Sequence, residues 1–291
     1  MYKYLLITPV KNEEKNLPKV FNSIIHSTIK PSLWIIIDDN SEDNSKEIII
    51  DTAKKFPELN IVYVRYPKIV KEYDLLFHYS EVCRYGFKVA INIAKKRKIK
   101  WDFLVLLDAD TLLPPNYLLN IFESMKRDNV CIASGNVCDI TGGKIVCHSW
   151  NPLPAGTGRV WTRRGFYFTG GYTVTVAPDT ISSIRAIKIG CSCKRYSQFR
   201  LYHLRPASSK LGSIRGYFIN GRRDAYLRKP LLLTFLNFLL ILVSSYNIFY
   251  SFSYLSGYLY QLFIKKETSK FKYLETYWKN RLRAIRNIFI R

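Results

Sequence analysis

KWDFLVLLDADTLLPPNY, Lys100 to Tyr117, decides the fold. Phe103 to Leu107 is an unbroken apolar run with no solvated face. A run of this length closed by a polar turn reads as a buried strand of a parallel sheet. Asp108, Ala109 and Asp110 follow at once, and Pro114 and Pro115 suit the first turn of a helix. Open α/β sheets bind their ligands beyond the carboxyl ends of the strands. Alternate side chains of an extended segment share one side, so Asp108 and Asp110 can point at one cation. Hard divalent cations such as Mg2+ take oxygen ligands of this kind. The competing role for an Asp-x-Asp pair is a turn or a helix cap. The other strand ends weigh against that role.

Three strands precede the central one. Tyr4 to Val10 is apolar and runs into Lys11, Asn12, Glu13 and Glu14; Leu17, Val20, Phe21, Ile24 and Ile25 then recur at helical spacing. Leu33 to Ile37 ends in Asp38, Asp39, Asn40 and Ser41, and a helix carrying Ile48 to Ala53 follows. Ile61 to Val64 is a third strand, and Val82 to Ala94 has a helical pattern. The order β-α-β-α-β-α-β predicts an α/β fold with a mostly parallel, Rossmann-like sheet and helices on both faces. Polar clusters at three strand ends then share one rim. The cluster Asp38-Asp39-Asn40-Ser41-Glu42-Asp43 offers carboxylates to a ribose or a base edge, as acids do after other nucleotide-binding strands.

The charge is uneven. Residues 1–150 carry a net +3, and residues 151–291, with four acids and 24 bases, carry +20. Phosphate-bearing partners are expected for the second half. The bases there cluster around an apolar stretch that a soluble nucleic-acid binder would not expose, which argues against nucleic acid. The six cysteines match no zinc spacing and read as reduced thiols of a cytosolic protein. The amino terminus enters a strand pattern directly and shows no small-residue cleavage site, so no leader is expected.

TPVKNEEKNL, IIIDDNSEDNS and LVLLDADTLLPPNYL, in this order, resemble the family 2 glycosyltransferases of the GT-A fold, over roughly residues 1–185. The resemblance implies transfer of a sugar from a nucleotide-sugar with inversion, and Mg2+ or Mn2+ as cofactor. It makes Thr8, Pro9, Lys11, Glu13 and Asp39 nucleotide contacts. Asp108 becomes a ribose and metal contact, and Asp110 a metal contact. In the 151–171 loop, Arg159, Arg163 and Arg164 are candidates for binding an acceptor or a phosphate.

One departure matters. Members of the family carry an acidic pair further on, one of which takes the acceptor's proton. Here residues 180–223 contain no Asp or Glu and ten Arg or Lys. Tyr202-His203-Leu204-Arg205-Pro206 resembles the segment after that pair. Either the acceptor is already an anion such as a polyprenyl phosphate, held by arginines including Arg205, or Asp139, Asp179, Asp224 or His203 acts as base, or catalysis has been lost. Asp179 is otherwise a helix N-cap, and His203 a metal contact, a diphosphate contact or a structural histidine.

Pro230 to Ile264 has no charged residue. Thirty-five residues exceed one spanning helix and barely suffice for two. Basic residues at both ends predict that both face the cytoplasm, so a re-entrant segment or tight hairpin broken near Ser244-Ser245-Tyr246-Asn247 is expected. The tail, Lys265 to Arg291, reads as a basic amphipathic helix for an anionic membrane surface. The expected domains are a transferase domain over 1–222, a membrane segment over 223–264 and a basic tail over 265–291. The expected protein is a glycosyltransferase on the cytoplasmic face of the cell membrane, acting on a lipid-linked or glycan acceptor. The alternatives are transfer to a glycan or glycolipid hydroxyl, and a non-catalytic nucleotide-sugar-binding scaffold.

Overall fold

Apolar strands that must bury both faces dictate the architecture seen in the computed structural model. It describes residues 2–68, 77–141, 143–147, 153–205, 213–245, 247–266 and 268–289. The elements in order are β1 (Tyr4–Val10), α1 (Leu17–Ile25), β2 (Leu33–Asp38), α2 (Ser45–Lys55), β3 (Ile61–Arg65), α3 (His78–Lys96), β4 (Phe103–Leu106), β5 (Thr111–Leu112), α4 (Tyr117–Arg127), β6 (Ile132–Thr141), β7 (Lys144–Cys147) and β8 (Arg159–Thr162). They continue with α5 (Arg163–Phe168), α6 (Pro178–Lys188), β9 (Cys193–His203), α7 (Ser213–Tyr226), α8 (Leu231–Ser245), α9 (Ile248–Leu259), a π-helical turn (Tyr260–Lys265) and α10 (Tyr273–Phe289).

The chain forms two compact units, Met1–Pro206 and Ala207–Arg291. In the first, the strands form one sheet in the order β3-β2-β1-β4-β8-β6-β9-β5, with β7 paired to β6. β3, β2, β1 and β4 run parallel, as the sequence pattern requires. Beyond β4 the sheet is mixed: β8 is antiparallel to both β4 and β6, β9 is parallel to β6, and β5 is antiparallel to β9. Strand alternation sorts the core into two layers. Tyr4, Leu6, Trp34, Ile36, Phe103 and Val105 face the layer of Val20 and Phe21 from α1 and Ile121 and Phe122 from α4. Leu5, Ile7, Ile35, Ile37, Leu104 and Leu106 face that of Val82, Phe87 and Ala90 from α3. Helices thus cover both faces, and the polar segments are left to the rim.

The second unit is helical. Gly221 of α7 and Gly257 of α9 bring the two backbones together: a Cβ on either would collide with the Tyr254 or the Phe218 carbonyl. α7 lies wholly within this unit, which begins at Ala207. The tail is the expected helix, and the start of its apolar stripe packs on its own unit: Leu274 is fully buried, and Trp278 Nε1 donates to the Leu227 carbonyl at 2.8 Å. The apolar stretch forms the expected pair, with α8 ending at Ser245 and α9 beginning at Ile248. Tyr246 itself is outside the described residues. Among the described residues no helix is long and apolar enough to cross a membrane.

The cysteine expectation is overturned. Cys131–Cys191 and Cys138–Cys147 are disulfides, and only Cys83 and Cys193 are free thiols. Spacing in the sequence hid both pairs. The first joins the residue before β6 to one just before β9, and the second closes the β6–β7 hairpin across a register pair.

Candidate active site at the sheet rim

Parallel strands end on one rim, so each turn after β1, β2 and β4 delivers its polar residues there. The turn after β4 holds Asp108 and Asp110. Strand β5 follows and pairs with the end of β9, setting Thr111 opposite His203. Asp108, Asp110 and His203 each offer a ligand atom within 4.8 Å of one another. The two carboxylates do converge, as alternation requires, and they gain an imidazole from a strand some ninety residues away.

The cluster is tense in a way that suits a cation. Burial, and next the charge of Asp110, push the Asp108 carboxyl up to about 6. Tyr79 donates to Asp108 Oδ1 at 2.5 Å, and the Asp108 amide donates to the Thr157 hydroxyl at 3.0 Å. The Tyr79 bond, the charge of His203 and the Thr157 side chain oppose the rise without cancelling it. His203 is raised from the usual histidine range: burial opposes its charge, but the carboxylates of Asp139, Asp108 and Asp110 outweigh burial. Its Nδ1 lies 3.3 Å from Asp139 Oδ1, yet neither ring nitrogen makes an aligned hydrogen bond. A buried imidazole with spare nitrogen beside two carboxylates fits a metal ligand whose far side is steered by an acid.

Arg205 ties the rim together. Its Nε donates to Asp110 Oδ2 at 2.8 Å, and another guanidinium nitrogen binds Glu13 Oε1. Glu13 is buried, and its other oxygen accepts from Asn16 Nδ2 at 2.7 Å. After β2, buried Asp39 receives Lys11 Nζ at 3.4 Å on Oδ2, and His78 Nε2 sits 2.8–2.9 Å from its two oxygens. Lys11, Glu13, Asp39, Asp108, Asp110, His203 and Arg205 are thus all at the strand ends, where the sequence pattern places Lys11, Glu13, Asp39, Asp108 and Asp110. Thr8 is different: it is fully buried inside β1, and its hydroxyl accepts from the Trp34 indole at 3.0 Å. Its side chain is occupied by the core. Pro9 beside it is partly buried.

The three loop arginines depart from expectation. Strand β8 runs antiparallel to β4, with Leu106 opposite Arg159 and Phe103 opposite Thr162. Arg163 and Arg164 therefore lie at the amino-terminal edge of β4, the rim opposite the Asp pair. There they cover Trp101 and Phe168, at 5.0 and 4.9 Å from the ring centres. Arg159 is at the correct end but fully buried. Its guanidinium serves the carbonyls of Pro154, Ala155 and Asp179 and the hydroxyls of Ser182 and Ser183. It braces the 154–158 loop and cannot reach an acceptor.

Asp179 is not the cap of α6. Ala177 holds that place, and Asp179 stands in the first turn. Its carboxylate faces Gly156: a Cβ there would lie 4.0 Å from Asp179 Oδ2. Gly156 precedes Thr157, whose hydroxyl binds Asp108. Asp179 thus lies beside the loop that borders Asp108. Asp224 belongs to the other unit. Sequence reasoning missed Tyr79, His78 and Thr157 as site residues. None lies in a polar strand end, so only the helix and loop that carry them could reveal them.

The model of the family "Glycosyl transferase family 2" matches residues 5–187. A Sulfolobus acidocaldarius protein named "Probable glycosyltransferase" is 31% identical over 132 residues, which is 44% of this chain and 25% of that protein. The chain thus matches about a quarter of the length of that relative. Among solved structures, the mannosyltransferase PcManGT from Pyrobaculum calidifontis, in complex with GDP-Man and Mn2+, superposes with a TM-score of 0.56 at 12% identity, covering 97% of this chain and 80% of that one. S. aureus TarS 1-349 in complex with UDP-GlcNAc gives 0.53 at 12% identity over 90% and 72%. At such identity these two likenesses establish the fold.

Proposed function

The chain belongs to glycosyl transferase family 2, and from that premise we propose that it moves a sugar from a nucleotide-sugar to a lipid-linked acceptor, with inversion and with a divalent cation. The observation that carries the reading is the convergence of Asp108, Asp110 and His203 on one point of the rim that also holds Lys11, Glu13 and Asp39. Asp39, Lys11 and Glu13 take the nucleoside end of the donor, with Thr8 and Pro9 lending only backbone. Asp108, Asp110 and His203 hold the cation. An imidazole among the ligands tilts the choice from Mg2+ towards a first-row ion such as Mn2+. When bound, the ion supplies Lewis-acid neutralisation of the departing nucleoside diphosphate. Arg205 offers a guanidinium fork that suits phosphate oxygens. The GDP-Man and UDP-GlcNAc in the two neighbours support this class of donor.

A polyprenyl phosphate is the acceptor of first choice. Its oxygen is already charged at neutral pH and needs no base. The enzyme would then work at the cytoplasmic face of the cell membrane. Asp179 supports a second reading, in which its carboxylate removes the proton of a glycan or glycolipid hydroxyl.

The test is transfer by detergent-solubilised protein from a panel of UDP- and GDP-sugars with Mn2+, offered a polyprenyl phosphate or a glycan. Asp110→Ala and Asp179→Asn run beside the parent. Transfer to the lipid phosphate that is lost in Asp110→Ala and kept in Asp179→Asn is the expected result. Transfer to the glycan alone, lost in Asp179→Asn, installs the second reading. Donor binding with no transfer to either defeats both.

A further inference from the structure

Among the described residues, twelve of the twenty exposed large hydrophobics fall between Leu231 and Ile264. They are not scattered. On α8, Leu232, Phe235 and Val243 are 61%, 54% and 70% exposed, and on α9, Phe249 and Phe252 are 70% and 55% exposed. Phe238 stacks on Phe235 and meets Phe252 edge-on, so the two stripes join in one face. The opposite face of α9 is already used: Ser251, Tyr254, Gly257 and Tyr258 are buried. Twelve side chains at such exposure present on the order of 1,000 Å² of apolar surface, against the few hundred Å² usual for the largest patch of a monomer.

Length and charge choose the occupant. α8 spans 15 residues, and α9 with the π-helical turn that continues it spans 18, about 22 Å and at most about 27 Å, short of a hydrocarbon core of about 30 Å. No charged residue interrupts 230–264, while Lys265, Lys266, Lys270 and Lys272 follow it and are exposed. An apolar face too short to span, ending in a cluster of lysines, matches the boundary of an anionic leaflet, with acyl chains against the face and headgroups against the lysines. The tail helix, whose stripe begins buried against its own unit, is the weaker candidate for that contact.

We infer that the α8–α9 hairpin lies in the plane of one anionic leaflet, its Leu232–Phe235–Val243–Phe249–Phe252 face sunk among the acyl chains, and crosses no membrane. This deepens the membrane location proposed above. It is tested without donor or acceptor, so its failure is separable from failure of the transfer reading.

The experiment is flotation of the purified full chain with phosphatidylcholine vesicles and with vesicles in which a third of the lipid is phosphatidylglycerol. The expected result is binding that is at least tenfold stronger to the anionic vesicles and weakens with salt. Phe249→Ser with Phe252→Ser, both exposed and so compatible with folding, should weaken it at least a further tenfold. Phe249→Trp reads the depth: its fluorescence should be quenched more by lipids brominated near the headgroup than near the bilayer centre. Three results overturn the inference. They are no binding by the parent chain, strongest quenching at the bilayer centre, and a vesicle-free dimer that dissociates in the double serine variant, which would mean that a second copy covers the face.

Discussion

The molecule holds two acid clusters, one in each unit, the helical one buried and the rim one half-buried, built to opposite ends. In the helical unit, Asp224 accepts from Tyr254 Oη at 2.7 Å and from Lys229 Nζ at 3.0 Å, with Arg223 at 3.4 Å. Burial alone would raise its pKa, but Arg223, Lys229 and these bonds outweigh burial and lower it. Lys229 is itself buried, and its carbonyl accepts from Tyr258 Oη at 2.6 Å. Every charge has its partner. At the sheet rim, two carboxylates crowd one another beside an imidazole with no aligned bond, and one of them is driven up to about 6. A saturated cluster holds a fold together. An unsaturated one is a site awaiting charge.

The comparison breaks most decisively at Asp110. Asp110→Asn should lower turnover by 100-fold or more, about the upper end for disturbing a metal's surroundings, and abolish the rise in melting temperature on adding Mn2+. The stability of the protein without metal should change little, because the substitution removes a like-charge neighbour of Asp108 while it weakens the Arg205 ion pair. A large loss of stability instead would mark the rim cluster as structural. Asp224→Ala should do the reverse. It leaves Lys229 buried without its partner and should cost about 3–5 kcal/mol of the helical unit's stability, while calorimetric Mn2+ affinity stays unchanged. Urea unfolding must be followed in each unit separately, since two units need not melt together.

Gly221→Ala sharpens the helical side of the comparison. The new methyl meets the Tyr254 carbonyl, so α7 and α9 must part, at about 1–3 kcal/mol for an overpacked contact. Because Tyr254 is also the hydroxyl partner of Asp224, the loss should be less than additive with Asp224→Ala. Strict additivity would show that the glycine crossing and the buried pair stabilise the unit independently.

Much of the rim was legible in the sequence, for a plain reason. Parallel strands are read from apolar runs, and three of the four runs in 1–110 end in a polar cluster that can only sit at the carboxyl end. Lys11, Glu13, Asp39, Asp108 and Asp110 follow from that alone. His203 and Arg205 needed a family resemblance, because β9 alternates poorly and its pairing with β5 is non-local. Arg159, Arg163 and Arg164 misled because their strand reverses direction. Parallel, it would have led Arg163 and Arg164 to the site; antiparallel, it sends them to the opposite rim. Asp179 looked like a cap because it follows a proline, and only the path of the 154–158 loop shows what its carboxylate faces. The apolar stretch and its break near Ser245 were legible from the run of uncharged residues; among the described residues, no helix there is long and apolar enough to cross a membrane.

The smallest effect, and the most diagnostic, is at Tyr79. Its hydroxyl donates to Asp108 and holds that carboxyl below where burial and Asp110 would put it. The sign follows from the raised pKa. In the metal-free protein Asp108 favours the fold below its unfolded value, and that contribution is lost as pH rises through about 6. A cation must displace the same proton, so stabilisation by Mn2+ should develop across that pH. Tyr79→Phe removes a hydrogen bond to a charged acceptor, worth about 1.5–3 kcal/mol at most, and with it a force that lowers the Asp108 pKa. The Mn2+-induced shift in melting temperature should then appear at a higher pH than in the parent, with affinity converging at alkaline pH. An unchanged midpoint would mean that Asp108 loses its proton well below the range in which the metal binds, and that Tyr79 merely fills space beside it.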